Sequence, residues 1–540
     1  MKLVRNPNTV WCDAAIASMA FGLVGVSLLR KIFDSDIWFH MVVGREVVRQ
    51  MKIPDVEFYV LTRLGEPGEF HEWGFGVLYY FIEQWSGYVG MAMANAAIGC
   101  GILLLLYLAG SAESKSGLLK LFPVIGLVLW VIELRMNFRP ETWLYVMLAS
   151  EIFLLEKYLL YRTWYWLAPL PLLAWALSLG HPSALFLIGV FGVYSIQAML
   201  TSAQNKFRIT AVLGGVALAM AGGALLNPYG LHQLLLPFYF RNDALISSLT
   251  EDLPVLQTEY ALHFVIIVSV GFLAILSGKQ KRFADILLAC MFTILTYKYA
   301  RNIALLGIVM FVPIAHALVH WSGRFVGYAG KALNAVAVAV GLAGLGLTAA
   351  SPLWGTGLYE PSTPIKSSEL IRKYVHSGNT LNFLHLGNYL AWDLDRPVFI
   401  DGRNYGSNRG VQLHDAIFRA DPGWQNAILD FNIEAIVTPV TLDYSGQIIP
   451  LVAHLASDPD WVLIAQEKAG LLFLRSPVPD GIQPLLKQVI WKHAVEELTV
   501  NLATYPDSKE SYQSLATAYG QLGDVAKAQY FSDQFSSLSK

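Results

Sequence analysis

Two carboxylates and a histidine follow directly on the first long apolar stretch of the chain. Asp34 and Asp36 come just after the apolar run 11–29, and His40 lies four residues beyond Asp36. In a helix, residues four apart share a face, so Asp36 and His40 are expected to project together. A carboxylate beside an imidazole can take a proton from an acceptor hydroxyl group. The same pair can also hold a divalent cation that binds a phosphate.

The helical spacing also predicts how this segment lies. Its apolar residues share a second face, made by Ile37, Met41 and Val48. An interfacial helix would rest this face on the bilayer surface and present Asp36 and His40 away from lipid. A structural alternative for Asp34 is the N-cap of that helix, and for His40 an ordinary surface position. A cap explains only one of the two carboxylates, so Asp36 is the predicted base, with Asp34 and His40 beside it.

A second polar motif closes the same loop. His71-Glu72-Trp73 stands just before the apolar aromatic run 75–82. Glu72 is a second candidate base or metal ligand, and alternatively an acid placed at a helix N-terminus. His71 is a candidate substrate contact.

The composition defines what must position these groups. Of 540 residues, 55% are hydrophobic and only 14% are charged, against roughly 25% charged in an average soluble domain. Apolar runs of about 20 residues, the length that crosses a bilayer, recur from Trp11 to Ala350. The chain is therefore predicted to be a polytopic α-helical membrane protein. A net charge of −2 argues against nucleic-acid binding, and the three cysteines, all in apolar segments, are expected to be small buried hydrophobes.

About eleven spans are predicted, and the basic residues orient them. The spans begin near Trp11, Tyr88, Leu118, Thr142, Thr163, Ser183, Arg208, Ala261, Phe283, Asn302 and Ala332. The first run lacks a small-residue cleavage site and is expected to stay as a span. Lys and Arg concentrate in alternate loops when the N-terminus is cytoplasmic. This orientation predicts a multi-pass protein of the bacterial inner membrane with its C-terminal region in the periplasm.

The outer loops carry ionisable groups of both signs at the span ends. The members are Arg135, Arg139, Glu141, His181, Glu251, Asp252, Glu259, Lys298 and Arg301. Such groups are costly at membrane depth, and guanidinium groups bind phosphate bidentately. Lys298 and Arg301 are three apart and are expected to share a helical face. Arg139, Glu141, His181, Lys298 and Arg301 are therefore candidate contacts for a lipid-phosphate substrate. The alternative is pairing of the cations with the nearby carboxylates.

The composition changes after the predicted membrane domain, 1–350, whose first outer loop is 31–87. A linker (351–365) leads to a predicted α/β domain (366–478) with β-rich runs at 381–385, 398–401, 435–438, 461–464 and 471–474. Asp401 and Arg403 follow one of these runs, where α/β folds place ligand contacts. They are candidates for acceptor binding or for anchoring the domain.

The last segment, 485–540, is helical and more polar. Its small and large residues match about one and a half tetratricopeptide (TPR) repeats at Ala494, Pro506, Tyr512, Leu515, Ala516, Tyr519 and Ala528. Three or more repeats are needed for independent stability, so this TPR-like tail is expected to pack on the α/β domain. It serves either as a structural cap or as a site for a protein partner.

Taken together, these motifs resemble a known superfamily, the GT-C glycosyltransferases, which includes protein mannosyltransferases and aminoarabinose transferases. Members have many spans, an acidic motif in the first outer loop and often a soluble outer domain. More closely, the chain looks like a bacterial group with Asp-x-Asp-x-Trp-x-His followed by His-Glu-Trp. The matching residues are Asp34, Asp36, Trp38, His40, His71, Glu72 and Trp73, with further similarity at Arg139-Pro140, 227–230, Arg301-Asn302 and 399–403.

The resemblance implies an inverting transfer of a sugar from a polyprenyl-phosphate donor to a protein or glycan acceptor on the outer face. Asp36 or Asp34 would then be the general base. The basic residues are assigned to phosphate on chemical grounds alone, and the sequence names no cofactor beyond the divalent metal that Asp36 and His40 would suit. A non-catalytic scaffold for envelope or pilus assembly is the first alternative. A transporter is the second, although no internal repeat supports it.

Overall fold

The fold is described from a computed structural model. It covers residues 21–111, 118–202, 206–239, 252–278, 281–324, 339, 342–343, 346, 350–403, 408–442 and 445–538. The predicted spans beginning at Trp11 and Ala332 lie largely outside these residues. The chain divides into two compact units. The first unit comprises Met1–Ile32 and His71–Gly357, and the second comprises Phe33–Phe70 and Leu358–Lys540.

The first unit is a bundle of apolar helices. They are α2 (Trp73–Gly110), α3 (Leu118–Ile132), α4 (Glu141–Tyr161), α5 (Leu170–Gly180), α6 (Ala184–Leu200), α7 (Lys206–Leu225), α8 (Leu231–Tyr239), α9 (Ala261–Ser277), α10 (Phe283–Lys298) and α11 (Ile303–Arg324). Gly87, with φ 61° and ψ −165°, breaks α2 into two helical parts, so the second part begins where a span was predicted. Small residues let the helices approach closely. A Cβ on Gly223 of α7 would lie 2.5 Å from the Pro171 carbonyl oxygen of α5.

The described helices include three that are long and apolar enough to cross a bilayer. They are Trp73–Gly110, Lys206–Leu225 and Ala300–Trp321, and the shorter apolar helices Ala184–Leu200 and Ala261–Ser277 accompany them. Each of the three exceeds the roughly 17 residues that a bilayer demands. The number of spans, eleven, stays a prediction.

A buried ion pair ties several helices of this unit together. Arg282, just before α10, donates to both carboxylate oxygens of Glu156 in α4 at 3.0 and 2.5 Å. The hydroxyl of Tyr194 in α6 donates to the same carboxylate at 2.7 Å. Both charged side chains are less than 10% exposed. Buried charges persist only when paired and hydrogen-bonded, and this pair satisfies that condition.

The second unit combines the first outer loop with the C-terminal region. The loop contributes helix α1 (Asp36–Gln50), which packs on α13 (Gly387–Leu394). Trp38 of α1 meets Tyr389 of α13 edge to face, with ring centroids 5.1 Å apart. Arg49 binds both carboxylate oxygens of Asp395 at 2.9 and 2.6 Å. Long-range contacts of this kind connect positions more than 340 residues apart in the chain.

A four-stranded mixed sheet forms the centre of the C-terminal region. The strands are β1 (Asn379–Asn382), β2 (Ile433–Thr438), β3 (Trp461–Glu467) and β4 (Gly470–Arg475), in the order β1-β2-β4-β3. β1 is parallel to β2, and the other two pairings are antiparallel. Helices α12 (Ile365–Tyr374), α13, α14 (Asn408–Phe418), α15 (Trp424–Asp430) and α16 (Pro450–Ser457) accompany the sheet. An α/β arrangement was expected from the sequence.

One predicted strand is wrong. The run 398–401 is not a strand; Val398 makes an isolated parallel bridge with Val60 of the first outer loop. Its side chains are buried nonetheless, with Val398, Phe399 and Ile400 all 0% exposed. Burial without a ladder explains the error, because an apolar β-branched run has the same composition whether or not it pairs with a neighbour.

The C-terminal tail consists of three consecutive helices, α17 (Gln488–Thr504), α18 (Lys509–Gln521) and α19 (Val525–Leu538). Ile490 and Leu498 of α17 and Leu515 of α18 belong to the hydrophobic core of the α/β region. Glu497 also accepts hydrogen bonds from the backbone and the side chain of Thr441 at 2.9 and 2.6 Å. The tail is thus held by the domain before it, and its relation to TPR repeats stays a prediction.

Candidate active site

Asp36 is the first residue of α1, and Asp34 supports the start of that helix. Ser35 occupies the N-cap position without a side-chain bond, while the Asp34 carboxylate accepts from the Asp36 backbone N–H at 3.1 Å. A helix leaves its first N–H groups without backbone partners, so this bond gives Asp34 a structural role. Asp34 is 6% exposed, whereas Asp36 is partly exposed.

The predicted lipid-facing side of α1 is wrong. Ile37 and Met41 are both 0% exposed within the protein. His40 is also buried, at 4% exposed, and its ring lies 3.9 Å from that of Phe39. It is therefore no surface histidine. The amphipathic pattern correctly predicted a helix, but the apolar face of this helix packs against other parts of the protein and not against lipid.

Among the described residues, no three His, Cys, Asp or Glu side chains are placed so that they could hold one ion. A Mg²⁺ ion is commonly held by only one or two carboxylates together with substrate phosphates. The divalent metal that Asp36 and His40 would suit therefore stays a prediction.

A buried charged cluster joins the first outer loop to the turn at Asp401 in the second unit. The Arg403 guanidinium donates to Asp401 at 2.8 Å and to Glu57 at 3.0 Å. The Tyr59 hydroxyl donates to Asp401 at 2.9 Å, and Glu57 accepts from the backbone N–H groups of Phe58 and Tyr59. The Glu57 and Asp401 side chains are 1% and 2% exposed. We call these four residues, Glu57, Tyr59, Asp401 and Arg403, the Arg403 cluster.

Aromatic rings enclose the Arg403 guanidinium. Its central carbon lies 5.4, 4.4 and 5.1 Å from the ring centroids of Phe39, Tyr59 and Phe70, all within cation–π range. Burial alone would lower the pKa of Arg403, but Asp401, Tyr59 and Glu57 reverse this and raise it. Burial raises the pKa of the Tyr59 phenol. The guanidinium is therefore a permanent cation that packs on Phe39, three residues after Asp36.

The turn of the Arg403 cluster also reaches Asp36 itself. A Cβ built on Gly402 would lie 3.6 Å from an Asp36 carboxylate oxygen and 3.3 Å from the Asn388 amide nitrogen. The Gly402 backbone N–H donates to the Asn388 amide oxygen at 3.3 Å. Asp401 and Arg403, predicted as ligand contacts, thus flank a glycine beside the predicted base.

In the first unit, the structure brings together ionisable residues from several predicted outer loops. Glu72 lies 3.8 Å from His181, and Glu141 and Arg301 are both near enough to His181 to change its pKa. Two ion pairs complete the group: Arg135 with Glu141 at 3.1 Å, and Arg301 with Asp252 at 3.3 Å. We call this set the outer-loop cluster. The pairing of cations with nearby carboxylates, which was the alternative to phosphate binding, is thus present for Arg135 and Arg301. The same residues also cluster as expected for a substrate site.

Other predicted residues lie at the edges of this group or apart from it. Lys298 is the last residue of α10 and its side chain is exposed. It does not share a helical face with Arg301, because Tyr299 has φ −137° and ψ 104° and ends the helix. Arg139 precedes α4, where its carbonyl accepts from Thr142. The His71 carbonyl accepts from Gln233 at 3.1 Å.

His181 is expected to be a neutral imidazole at neutral pH. Burial lowers its pKa to about 4, with Glu141 opposing and Arg301 adding to the effect. Its Nδ1 atom has no hydrogen-bond partner among the described residues. The contact with Glu72 is therefore no ion pair at pH 7, and the positive charge of the outer-loop cluster belongs to arginine.

The lowered pKa predicts a loss of stability in acid. In the unfolded chain, this histidine binds a proton below about pH 6.5, whereas in the folded protein it does so only below about pH 4. The free energy of unfolding therefore falls as the pH is lowered through this window, by up to about 3 kcal/mol. The test is the melting temperature (Tm) of detergent-solubilised protein at pH 7.5 and pH 4.5. His181→Asn should show a smaller drop than the wild type. Equal drops in both proteins would contradict the assignment.

Sequence reasoning missed several residues of the site. Glu57 and Tyr59 were not singled out, because nothing nearby in sequence marks an acid whose partner, Arg403, lies 346 positions away. The one signal near them is the sequence Glu57-Phe58-Tyr59, in which an acid is followed directly by two aromatic residues.

One cavity of about 240 Å³ opens in the second unit. Its lining includes Arg45, Arg49, Glu46, Asp395 and Arg396. None of the residues predicted from the sequence as site residues is among those lining it. Its arginines are engaged: Arg45 donates to the Trp392 and Ala391 carbonyls and Arg396 to that of Val375. We assign this cavity no role.

The helical bundle and the C-terminal α/β region together form a fold that is also found in solved structures. Three solved structures share it. The oligosaccharyltransferase AglB from Archaeoglobus fulgidus, in complex with an inhibitory peptide and a dolichol-phosphate, matches with TM-score 0.55 and 12% identity over 97% of this chain and 84% of that chain. ArnT from Cupriavidus metallidurans bound to undecaprenyl phosphate matches with TM-score 0.52 and 12% identity over 86% and 98%.

The third structure is the Archaeoglobus fulgidus oligosaccharyltransferase in complex with Zn and sulfate. It matches with TM-score 0.52 and 11% identity over 95% of this chain and 83% of that chain. No protein-family model matches the sequence, and no curated protein does. At 11–12% identity, the similarity is one of fold.

Proposed function

We propose that this protein is a membrane glycosyltransferase. It moves a sugar from a polyprenyl-phosphate donor to an acceptor on the periplasmic face, with inversion at the anomeric carbon. The observation that carries this is the outer-loop cluster, in which Arg301, His181, Glu141 and Glu72 converge from separate loops. It occurs in a fold shared with structures that hold dolichol-phosphate and undecaprenyl phosphate.

The proposed reaction needs a base for the acceptor and cations for the leaving phosphate. Asp36 removes the acceptor proton as the acceptor atom attacks the anomeric carbon. The bond from that carbon to the phosphate oxygen breaks, and the phosphate leaves with the electron pair. Arginine stabilises this developing charge, a role we give to Arg301 and Arg139. Lys298, exposed at a helix end, is a candidate for the same phosphate.

The Arg403 cluster supports a different role from the one first considered for Asp401 and Arg403. Both side chains are committed to Glu57, Tyr59 and one another, and the Asp401 and Arg403 side chains are only 2% and 14% exposed. We therefore assign them to positioning the first outer loop, and hence Asp36, rather than to direct acceptor contact.

Donor binding gives the first test. Arg301→Gln should weaken binding of undecaprenyl phosphate about tenfold, because one charge-assisted contact is worth roughly 1.5–3 kcal/mol. The measurement is native mass spectrometry of the full chain titrated with undecaprenyl phosphate. Arg162→Gln is the matched control, since Arg162 is bonded to Ala198 and Thr201 on the predicted cytoplasmic side. Unchanged affinity in Arg301→Gln, or no binding by the wild type, would refute the donor assignment.

The scaffold alternative has one observation in its favour. Helix α19 has no buried residue, and Val525 and Tyr530 are 76% and 57% exposed. A partner-binding tail would look like this. The two proposals separate cleanly, because a scaffold tolerates loss of the Asp36 carboxylate and an enzyme does not.

A further inference from the structure

Gly402 of the second unit lies beside an acid and an amide. A Cβ there would meet two heavy atoms within 4 Å: the Asn388 amide nitrogen at 3.3 Å and an Asp36 carboxylate oxygen at 3.6 Å. The backbone of Gly402 is not in the left-handed region, so its φ angle does not demand glycine. The lack of a side chain at Gly402 instead leaves the Asn388 amide nitrogen and the Asp36 carboxylate uncrowded on this side. We call the position of the missing Cβ, between these two groups, the Gly402 notch.

On one side of the notch lies an amide whose nitrogen lacks a hydrogen-bond partner within the described part of the chain. The Asn388 oxygen accepts from the Gly402 backbone N–H at 3.3 Å, but the Asn388 nitrogen has no hydrogen-bond partner among the described residues. The residue is 0% exposed. A buried donor without a partner costs about 1–3 kcal/mol, and such groups are rare enough to require an explanation. A ligand atom that accepts a hydrogen bond would remove this cost.

Resting on the glycosyltransferase function proposed above, we propose that the Gly402 notch receives the nucleophilic group of the acceptor and that this group is a hydroxyl. The hydroxyl oxygen accepts from the Asn388 amide with one lone pair and attacks the anomeric carbon with the other. Its proton passes to the Asp36 carboxylate. The new bond joins the acceptor oxygen to the anomeric carbon, and the bond to the phosphate oxygen breaks with its electron pair on the phosphate.

The donor in the notch discriminates between acceptor classes. A neutral amine has a single lone pair, so accepting from Asn388 would use the electrons needed for attack. A carboxamide nitrogen has no lone pair to accept with, because it is delocalised into the carbonyl group. Only a hydroxyl group satisfies Asn388 and Asp36 together while keeping a lone pair for the reaction.

The exposure of the residues indicates the direction of entry. Asp36 and Gly402 are partly exposed, whereas Asn388 is at the closed end. An acceptor therefore enters past Gly402 and Asp36, and its hydroxyl oxygen meets the amide last. A methyl group on Gly402 would stand in this path.

Two variants test the notch. Asn388→Asp keeps an oxygen to accept from the Gly402 N–H but replaces the amide donor by a carboxylate oxygen. Gly402→Ala fills the notch. Each should lower kcat/KM for the acceptor at least about tenfold, the worth of one hydrogen bond to a reacting group, with undecaprenyl phosphate affinity unchanged. Asn426→Asp, at an exposed position of α15, and Gly520→Ala, where a Cβ meets open space, are the matched controls and should behave as wild type.

The assay uses the purified full chain with radiolabelled undecaprenyl-phosphate hexoses and three acceptor probes: an alkyl glycoside, a lysine peptide and an asparagine peptide. Labelled product is expected only on the hydroxyl-bearing glycoside. Transfer to the lysine or asparagine peptide, or wild-type rates in both notch variants, would overturn the notch assignment while leaving the transferase proposal intact. Failure of the wild type to release undecaprenyl phosphate from any donor would overturn the transferase proposal, and the notch assignment with it.

Discussion

Replacing Asp36 by asparagine is expected to lower kcat for sugar transfer by about 10²–10⁴-fold, the usual contribution of a general base. The substitution keeps the shape of the side chain, and Asp36 is partly exposed, so the fold should survive. Binding of undecaprenyl phosphate should be unchanged, since the proposed phosphate contacts are arginines of the first unit. The measurement is the rate of undecaprenyl phosphate release from a labelled donor.

Two carboxylates serve as comparisons for Asp36. Asp34→Asn keeps an oxygen that can accept from the Asp36 N–H, as Asp34 does at 3.1 Å, so a small loss of activity is expected. Glu46→Gln changes an acid of the same helix that accepts from Gln50, and it should have no effect. Full activity in Asp36→Asn would remove the catalytic assignment and favour the scaffold. An equal, large loss in Asp34→Asn would move the base to Asp34.

Replacing Arg403 by alanine is expected to destabilise the second unit by about 3–5 kcal/mol, because it leaves buried carboxylates without their cation. Glu57 and Asp401 are 1% and 2% exposed, and neither can turn to water without opening the loop. Hydrogen exchange should accelerate in 36–50 and 379–382. Transfer activity should fall as well, because the guanidinium packs on Phe39, beside the helix turn that holds Asp36.

A surface arginine of the same unit provides the control. Arg419 pairs with Asp421, and the two side chains are 62% and 44% exposed. Exposed pairs contribute about 0–1 kcal/mol, so Arg419→Ala should leave exchange in 36–50 unaltered. Arg403→Lys keeps the charge but loses the forked geometry, so an intermediate effect is expected. If Arg403→Ala exchanges like the wild type, the cluster does not hold the loop.

Many helices of the predicted membrane region could be predicted from the sequence, because hydropathy and helical periodicity depend only on neighbouring residues. Long apolar runs and the period of the helix predict elements such as α1 and α9 from a window of about 20 residues. The same locality explains the errors. The run 398–401 has strand composition without a ladder, and Ile37 and Met41 were assigned to lipid because composition does not distinguish lipid from a protein interior.

The candidate site shows the same contrast between features of neighbouring residues and contacts between distant ones. The sequence by itself determined a polytopic apolar chain, a C-terminal α/β region and Asp36 as the acid to test, since spacing and hydropathy are properties of neighbouring residues. Only the tertiary structure decided that Arg403 bridges Glu57 and Asp401, that burial lowers the pKa of His181, and that Gly402 lies beside Asp36 and Asn388. Each of these depends on burial or on contacts between residues far apart in the chain, and both arise only when the chain folds.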